Sequence, residues 1–272
     1  SEFTILREGR EAFYLTSSGA AERYDNDFLS KNLPANGSVR LDNLTTSLGC
    51  LVLVGPRSRQ ILAKVTDAEL SNAAFPWLTG QEIGLGLART RALRINFVGE
   101  LGWELHHPIE YQNQIFDCLV EAGEEFGLAM CGMRAMDSLR IEKSYRMWGQ
   151  DLTREYSILE AGLERFVHLD KGDFVGREAL LGQQESGVPQ RFVTLEVEAD
   201  DADPLGNEPL YLGPEMIGRA TAGAYGHVVE KSLAIGYVRP EAAALGTELE
   251  IEILGERRRA RVIPESPWDP EN

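Results

Sequence analysis

Cysteine is scarce in this chain: Cys50, Cys118 and Cys131 are the only three in 272 residues. An odd number rules out a fully paired disulfide framework, and a zinc motif needs tighter Cys/His spacing than these positions offer. Each has apolar neighbours, which predicts buried thiols and a reducing, cytoplasmic setting. Long apolar runs are missing as well. None approaches the roughly 20 residues that cross a bilayer, and the opening Ser1-Glu2-Phe3-Thr4 has no leader character. Positive charge is short: 27 Lys and Arg against 43 Asp and Glu leave a formal net charge of -16. That balance disfavours nucleic acid and anionic membrane as partners. The one cationic run, Arg257-Arg258-Arg259-Ala260-Arg261, follows a turn at Gly255-Glu256 and reads as the solvated face of a strand.

Familiar catalytic signatures are also absent. There is no Gly-rich P-loop, no nucleophile elbow and no His-Glu-x-x-His helix. No residue is therefore assigned as catalytic or as a metal ligand, and the search turns to binding chemistry. Gly55-Pro56-Arg57-Ser58 offers a helix start for an anion, but a plain turn and helix entry is the better reading.

What is present is the composition of an ordinary folded protein, 43% hydrophobic and 26% charged. Phe3-Thr4-Ile5-Leu6 and Phe13-Tyr14-Leu15-Thr16 read as a hairpin, followed by a helix from about Ala20 to Leu33 and a strand over Cys50-Leu51-Val52-Leu53-Val54. A helix presents Ile61, Leu62 and Val65. Ala92 to Phe97 and Trp103 to His106 read as a second hairpin around the turn Gly99 to Gly102. Ile115, Leu119, Ala122 and Phe126 recur at helical spacing up to a C-capping Gly127, and Met133, Met136 and Leu139 mark a further helix. From Gln190 the pattern turns to strands, Glu248, Glu250 and Glu252 alternating with Leu249, Ile251 and Ile253. The expected fold is α+β: mixed or antiparallel sheets with helices, followed by a small all-β C-terminal barrel. Residues 182–190, polar and without helix or strand periodicity, read as a linker between domains 1–181 and 191–272.

The hairpin at Asn96 to Glu104 carries the most chemistry. Trp103 and Glu104 must point to opposite faces of their strand. A Glu104 turned to a cleft can accept paired hydrogen bonds from a ring N–H and an exocyclic amine, with an aromatic such as Phe97 on the facing strand covering the ring. A solvated Glu104 beside a core Trp103 fits the same residues. Asp137-Ser138-Leu139-Arg140-Ile141-Glu142 puts Asp137 and Arg140 three apart, close enough to pair on a charged amphipathic helix.

Four segments in order carry a resemblance: Gly99-Glu100-Leu101-Gly102-Trp103-Glu104, Asp137-Ser138-Leu139-Arg140-Ile141-Glu142, Trp148-Gly149-Gln150-Asp151-Leu152, and Asp170-Lys171-Gly172-Asp173-Phe174-Val175-Gly176-Arg177. The chain resembles the glycine-cleavage T-protein (aminomethyltransferase) family over nearly its whole length. It is most similar to the folate-binding C-terminal region of dimethylglycine and sarcosine dehydrogenases, and Ala222-Gly223-Ala224-Tyr225-Gly226-His227 is similar to the family's C-terminal barrel.

The resemblance implies tetrahydrofolate as cofactor, with Glu104 on the pterin, Phe97 at a position usually Tyr, and Trp148 at an aromatic position near the folate. It implies a module that forms 5,10-methylenetetrahydrofolate from a small N-methyl amine donor such as dimethylglycine or sarcosine. FAD is expected only where a flavin domain accompanies it, so a flavoprotein domain or subunit is an expected partner. Met136 stands where the family commonly has Arg. By the same resemblance, the family's catalytic Asp and upstream folate loop are expected ahead of Ser1. A non-catalytic docking or regulatory module of a flavoprotein, and a folate-dependent S- or O-demethylase, are the alternatives.

Overall fold

The computed structural model describes residues 2–271. Contacts divide the chain into two compact units, Ser1–Cys131 and Gly132–Asn272.

The first unit opens with strands β1 (Phe3–Arg7) and β2 (Phe13–Ser17), paired antiparallel, and helix α1 (Glu22–Lys31). It continues through β3 (Leu48–Val54), α2 (Ser58–Leu62), β4 (Gly80–Leu85), β5 (Ala88–Leu93), β6 (Gly102–Pro108) and α3 (Gln112–Gly123). The last four strands form an antiparallel sheet in the order β3-β6-β5-β4. Period-two alternation gives that sheet two unlike faces. Leu51, Leu53, Trp103, Leu105 and Ala92 share one face through the pairs Leu53↔Trp103, Leu51↔Leu105 and Ala92↔Leu105, and there α2 and α3 supply Ile61, Leu62, Ile115 and Leu119 to the core. Trp103 is fully buried, edge-on to Phe75 at 6.1 Å. After α3 the chain tightens into a 3₁₀ turn and reaches Gly127 at φ 70°, the left-handed C-cap that its spacing predicts.

The second unit holds α4 (Met133–Glu142), α5 (Arg177–Ser186) and strands β7 (Arg191–Val197), β8 (Pro209–Leu212), β9 (Glu215–Gly226), β10 (Lys231–Val238), β11 (Glu248–Ile253) and β12 (Glu256–Ile263). The strands close into an antiparallel barrel, β10-β7-β12-β11-β8-β9, filled by residues such as Val193, Leu195, Leu210, Ile251 and Val262. A bulge falls between Ile235 and Gly236. There the strands run so close that a Cβ on Gly218 would lie 2.0 Å from the Tyr237 carbonyl oxygen, which explains glycine at a barrel corner. The α+β class and the terminal barrel agree with the sequence.

Several local expectations change. The hairpin of β4 and β5 turns on Gly86 (φ 57°), and β5 begins at Ala88 rather than Ala92. Its inward residues Ala88, Thr90 and Ala92 are too small to give an apolar rhythm. Met133 is exposed and Met136 and Leu139 only half-buried, while Ser138 and Ile141 form the buried side of α4. Residues 182–186 close α5 and so are helical. The β11–β12 turn is Leu254-Gly255, because Glu256 already pairs with Ile253. The buried thiols are a correction too: Cys50 and Cys131 are exposed and Cys118 is intermediate. Cys50 leaves β3 on the face opposite Leu51 and Leu53, so apolar sequence neighbours say nothing about its own side. Three arginines of the cationic run on β12 do lie on a solvated strand face, where Glu248, Glu250 and Glu252 pair in register with Arg261, Arg259 and Arg257; Arg258 turns to the other face, where its side chain is 13% exposed and pairs with Asp201.

Candidate functional site

Glu104 lies on β6 between the buried Trp103 and Leu105. Alternation therefore sends its carboxylate to the sheet face away from the core, with Val52 opposite it on β3 and Leu93 on β5. Its side chain keeps 26% of its surface exposed and Val52 keeps 57%, so a carboxylate and an apolar patch sit side by side. One carboxylate oxygen, Oε2, is 3.2 Å from Nε2 of His106, two residues along the same face. The His106 Nδ1 shares a 3.1 Å hydrogen bond with the Tyr14 hydroxyl. Arg91 lays its guanidinium over the Tyr14 ring at 3.9 Å and pairs with Glu8 at 2.5 Å, so the ring of Tyr14 is held from behind.

Cys50 pairs with His106 in the β3–β6 register, and its Sγ is 3.8 Å from Nε2. Although Cys50 is exposed as a residue, crowding of its thiol by the protein, and then the Glu104 carboxylate, push that thiol up to about 12. Burial likewise raises the Tyr14 hydroxyl, with Arg91 pulling the other way.

Phe97 is not on the strand facing Glu104. β5 ends at Leu93, and Phe97 is half-buried in the loop to β6. The cause is Asn96: its Oδ1 accepts from the Val98 N–H at 2.9 Å and the Glu100 N–H at 3.2 Å, and its Nδ2 donates to the Glu100 carbonyl. Such side-chain bonding replaces the ladder with a turn.

Trp148 belongs to the second unit and is half-buried in a turn closed by Gly149 N–H to Leu152 O at 2.7 Å. The residue after Gln150 organises this region. Asp151, fully buried, accepts from Arg140 Nη1 at 2.7 Å, the Met147 N–H at 2.8 Å and Thr221 Oγ1 at 2.5 Å. Arg140 also reaches Asp137 at 2.9 Å, the pair that their spacing predicts. Ser138 donates to Tyr225 O at 2.6 Å, and Glu142 accepts from the Val228 and Val229 N–H groups. These bonds fasten α4 to the barrel, which gives most polar residues of that motif a structural task. Beside them lies a cavity of about 310 Å³ lined by Arg134, Asp137, Gln150, Tyr225 and His227; Trp148 does not line it.

Of the residues singled out in the sequence, the first unit thus holds Glu104 and Phe97, and the second holds Trp148. Sequence reasoning missed Cys50, His106 and Tyr14. His106 was within reach, since position i+2 shares the face of Glu104. Cys50 and Tyr14 come from other strands and only the register brings them in.

Two family models match the chain: the GCVT N-terminal domain over residues 1–171 and the glycine cleavage T-protein C-terminal barrel domain over residues 190–269. Human mitochondrial dimethylglycine dehydrogenase is 35% identical over 267 residues, covering 97% of this chain and 31% of that protein; the chain thus spans about a third of the length of that relative. An aminomethyltransferase from Desulfitobacterium hafniense is 32% identical over 264 residues, covering 97% of this chain and 71% of that protein. The crystal structure of glycine cleavage system aminomethyltransferase T from Bartonella henselae has the same fold, with a TM-score of 0.80 at 24% identity over 95% of this chain and 69% of that one. Among the described residues no helix is long and apolar enough to cross a membrane. With family matches over both parts of the chain, this protein belongs to the glycine cleavage T-protein (aminomethyltransferase) family.

Proposed function

We propose that this chain is the tetrahydrofolate-binding module of a one-carbon-transfer enzyme that forms 5,10-methylenetetrahydrofolate from an N-methyl amine such as dimethylglycine or sarcosine. The observation that carries the reading is the setting of Glu104: a half-exposed carboxylate, fixed at Oε2 by His106, beside the exposed apolar side chain of Val52. Its Oε1 has no hydrogen-bond partner among the described residues. A pterin edge presents two neighbouring N–H donors on a flat ring, which is the complement of such a carboxylate and patch.

Tetrahydrofolate, when bound, supplies the nucleophilic nitrogen that takes up the one-carbon unit. The protein's part is to hold the ring in place: Glu104 grips the pterin edge and His106 keeps the carboxylate from rotating. Fixing a reactant in this way is worth several kcal/mol, on the order of 7–11 at best. Phe97 is proposed as an aromatic neighbour of the same cofactor. In this reading residues 1–181 are the folate-binding part, 182–190 a connection and 191–272 the barrel domain. The dehydrogenase relative is far longer than this chain, which supports a flavoprotein domain or subunit as partner; FAD belongs to that partner. The proposed setting is reducing and cytoplasmic.

The test is calorimetric titration of the chain with tetrahydrofolate under anaerobic conditions, alongside turnover of dimethylglycine and sarcosine by the protein joined to its flavoprotein part. Saturable binding at one site with folate-dependent turnover supports the reading. Absence of binding sinks it.

A further inference from the structure

We propose that Cys50, Glu104 and His106 form a binding site for a borderline-soft divalent cation of the zinc class. The three come from two adjacent strands, and one ligand atom from each lies within 4.8 Å of the others. No sequence spacing announces the set, because Cys50 reaches it through its pairing with His106 across the β3–β6 ladder.

The distances fit a tetrahedral ion. With metal bonds of about 2.3 Å to sulfur and about 2.0–2.1 Å to nitrogen and oxygen, tetrahedral angles separate sulfur from nitrogen by about 3.6 Å and nitrogen from oxygen by about 3.3 Å. The observed separations are 3.8 Å for Cys50 Sγ to His106 Nε2 and 3.2 Å for His106 Nε2 to Glu104 Oε2. Two of the three donor separations thus match a tetrahedral shell, and the third, Cys50 Sγ to the Glu104 carboxylate, stays within 4.8 Å, so side-chain rotation brings the three donors around one cation. One thiolate, one imidazole and one carboxylate select zinc-class ions over magnesium or calcium, which prefer all-oxygen shells. Three protein donors leave a fourth position for water or another small ligand.

The surroundings resemble the support that metal-bound histidines usually have. His106 is 8% exposed, points Nε2 at the other two donors and engages Tyr14 through Nδ1 at 3.1 Å. In the metal-bound form Nε2 offers its lone pair and Nδ1–H donates to the Tyr14 oxygen; without metal Nε2–H donates to Glu104 and Nδ1 accepts from the Tyr14 hydroxyl. A hydroxyl serves both tautomers, and a partner on the second ring nitrogen is what fixes a ligating imidazole. Binding is balanced by release of the Cys50 thiol proton to buffer as the metal–sulfur bond forms.

The test is titration of the chelator-treated full chain with Co²⁺ alone, read by absorption, followed by displacement with Zn²⁺. The expected result is one equivalent with a thiolate-to-cobalt charge-transfer band and intense tetrahedral d–d bands, both removed by Zn²⁺. Cys50→Ser abolishes the charge-transfer band, Tyr14→Phe weakens binding about 10-fold, and Cys131→Ser binds as wild type does. Circular dichroism of Cys50→Ser confirms the fold, which an exposed position permits. A wild-type spectrum without a thiolate band overturns the proposal, as does a band that survives Cys50→Ser or disappears in Cys131→Ser. Tetrahydrofolate titration of the metal-free wild-type chain is read separately, so failure of the cation site and failure of the folate reading are distinguishable.

Discussion

The Nε2 of His106 stands 3.2 Å from Oε2 of Glu104, two residues apart on one strand and on the same face of the sheet. This bond ties the orientation of the carboxylate to an imidazole that is itself nearly buried. Under the proposed function, His106→Ala releases the carboxylate and raises the tetrahydrofolate Kd by about 3–10-fold, the worth of about 1 kcal/mol of lost preorganisation. Calorimetry reads it, and an unchanged Kd removes His106 from the site.

Neighbours on β6 should differ sharply in what they contribute to stability. Trp103→Ala empties a fully buried site and should cost about 3–5 kcal/mol. Glu104→Ala, half-exposed and hydrogen-bonded to His106, should cost about 1 kcal/mol or less. Denaturant unfolding of the two variants measures the contrast.

In the second unit, Arg140 and Asp151 are both buried and bonded at 2.7 Å. Asp151→Ala leaves a buried guanidinium without its main partner and should destabilise by about 3–5 kcal/mol. Arg140→Met combined with Asp151→Ala should recover part of that loss, because the buried guanidinium leaves together with its buried partner and only the part-exposed Asp137 loses a pair. A double-mutant cycle of unfolding free energies decides it.

The turn at Leu254-Gly255 carries positive φ at both residues, 53° and 85°, as a two-residue hairpin of this hand requires. Leucine is costly there, by about 1–2 kcal/mol for an L residue in the left-handed region. Leu254 is 87% exposed, so its side chain adds little packing in return. Leu254→Asn should therefore raise the melting temperature, with calorimetric scanning as the measurement.

Cys50 offers a pH prediction. Its thiol is raised from 9.0 to about 12 in the folded protein, so the folded state holds its proton where the unfolded chain has lost it. The stability this contributes is fully present below pH 9.0 and is lost as pH rises towards about 12. At pH 9 metal-free native Cys50 should react with iodoacetamide far more slowly than it does in the denatured chain, because the thiolate is the nucleophile. Peptide mapping of the alkylated protein locates the label.

Much of the fold is legible in the sequence where side chains alternate strongly. Glu248 to Ile253 mark a half-exposed strand, and Ile115, Leu119 and Ala122 mark a helix face. Strand β5 is harder to see because its inward residues are alanine and threonine, and the Met133, Met136 and Leu139 spacing points to the wrong side of α4 because that helix packs through Ser138 and Ile141. The site divides in the same way. Trp103 and Glu104 reveal their opposite faces by adjacency alone. The misplacement of Phe97 traces to Asn96, whose side chain bonds the backbone and ends the ladder early. Cys50 and Tyr14 are recruited by pairing between distant strands, which no local pattern contains.

The most direct test of folate binding at Glu104 compares wild type with Glu104→Gln by anaerobic calorimetric titration with tetrahydrofolate. The variant keeps the shape and loses the charge that strengthens the bonds to the pterin N–H groups. Its Kd should be at least about 10-fold weaker, equivalent to about 1.4 kcal/mol, with the melting temperature little changed. Equal affinity in the two proteins would contradict the role of Glu104.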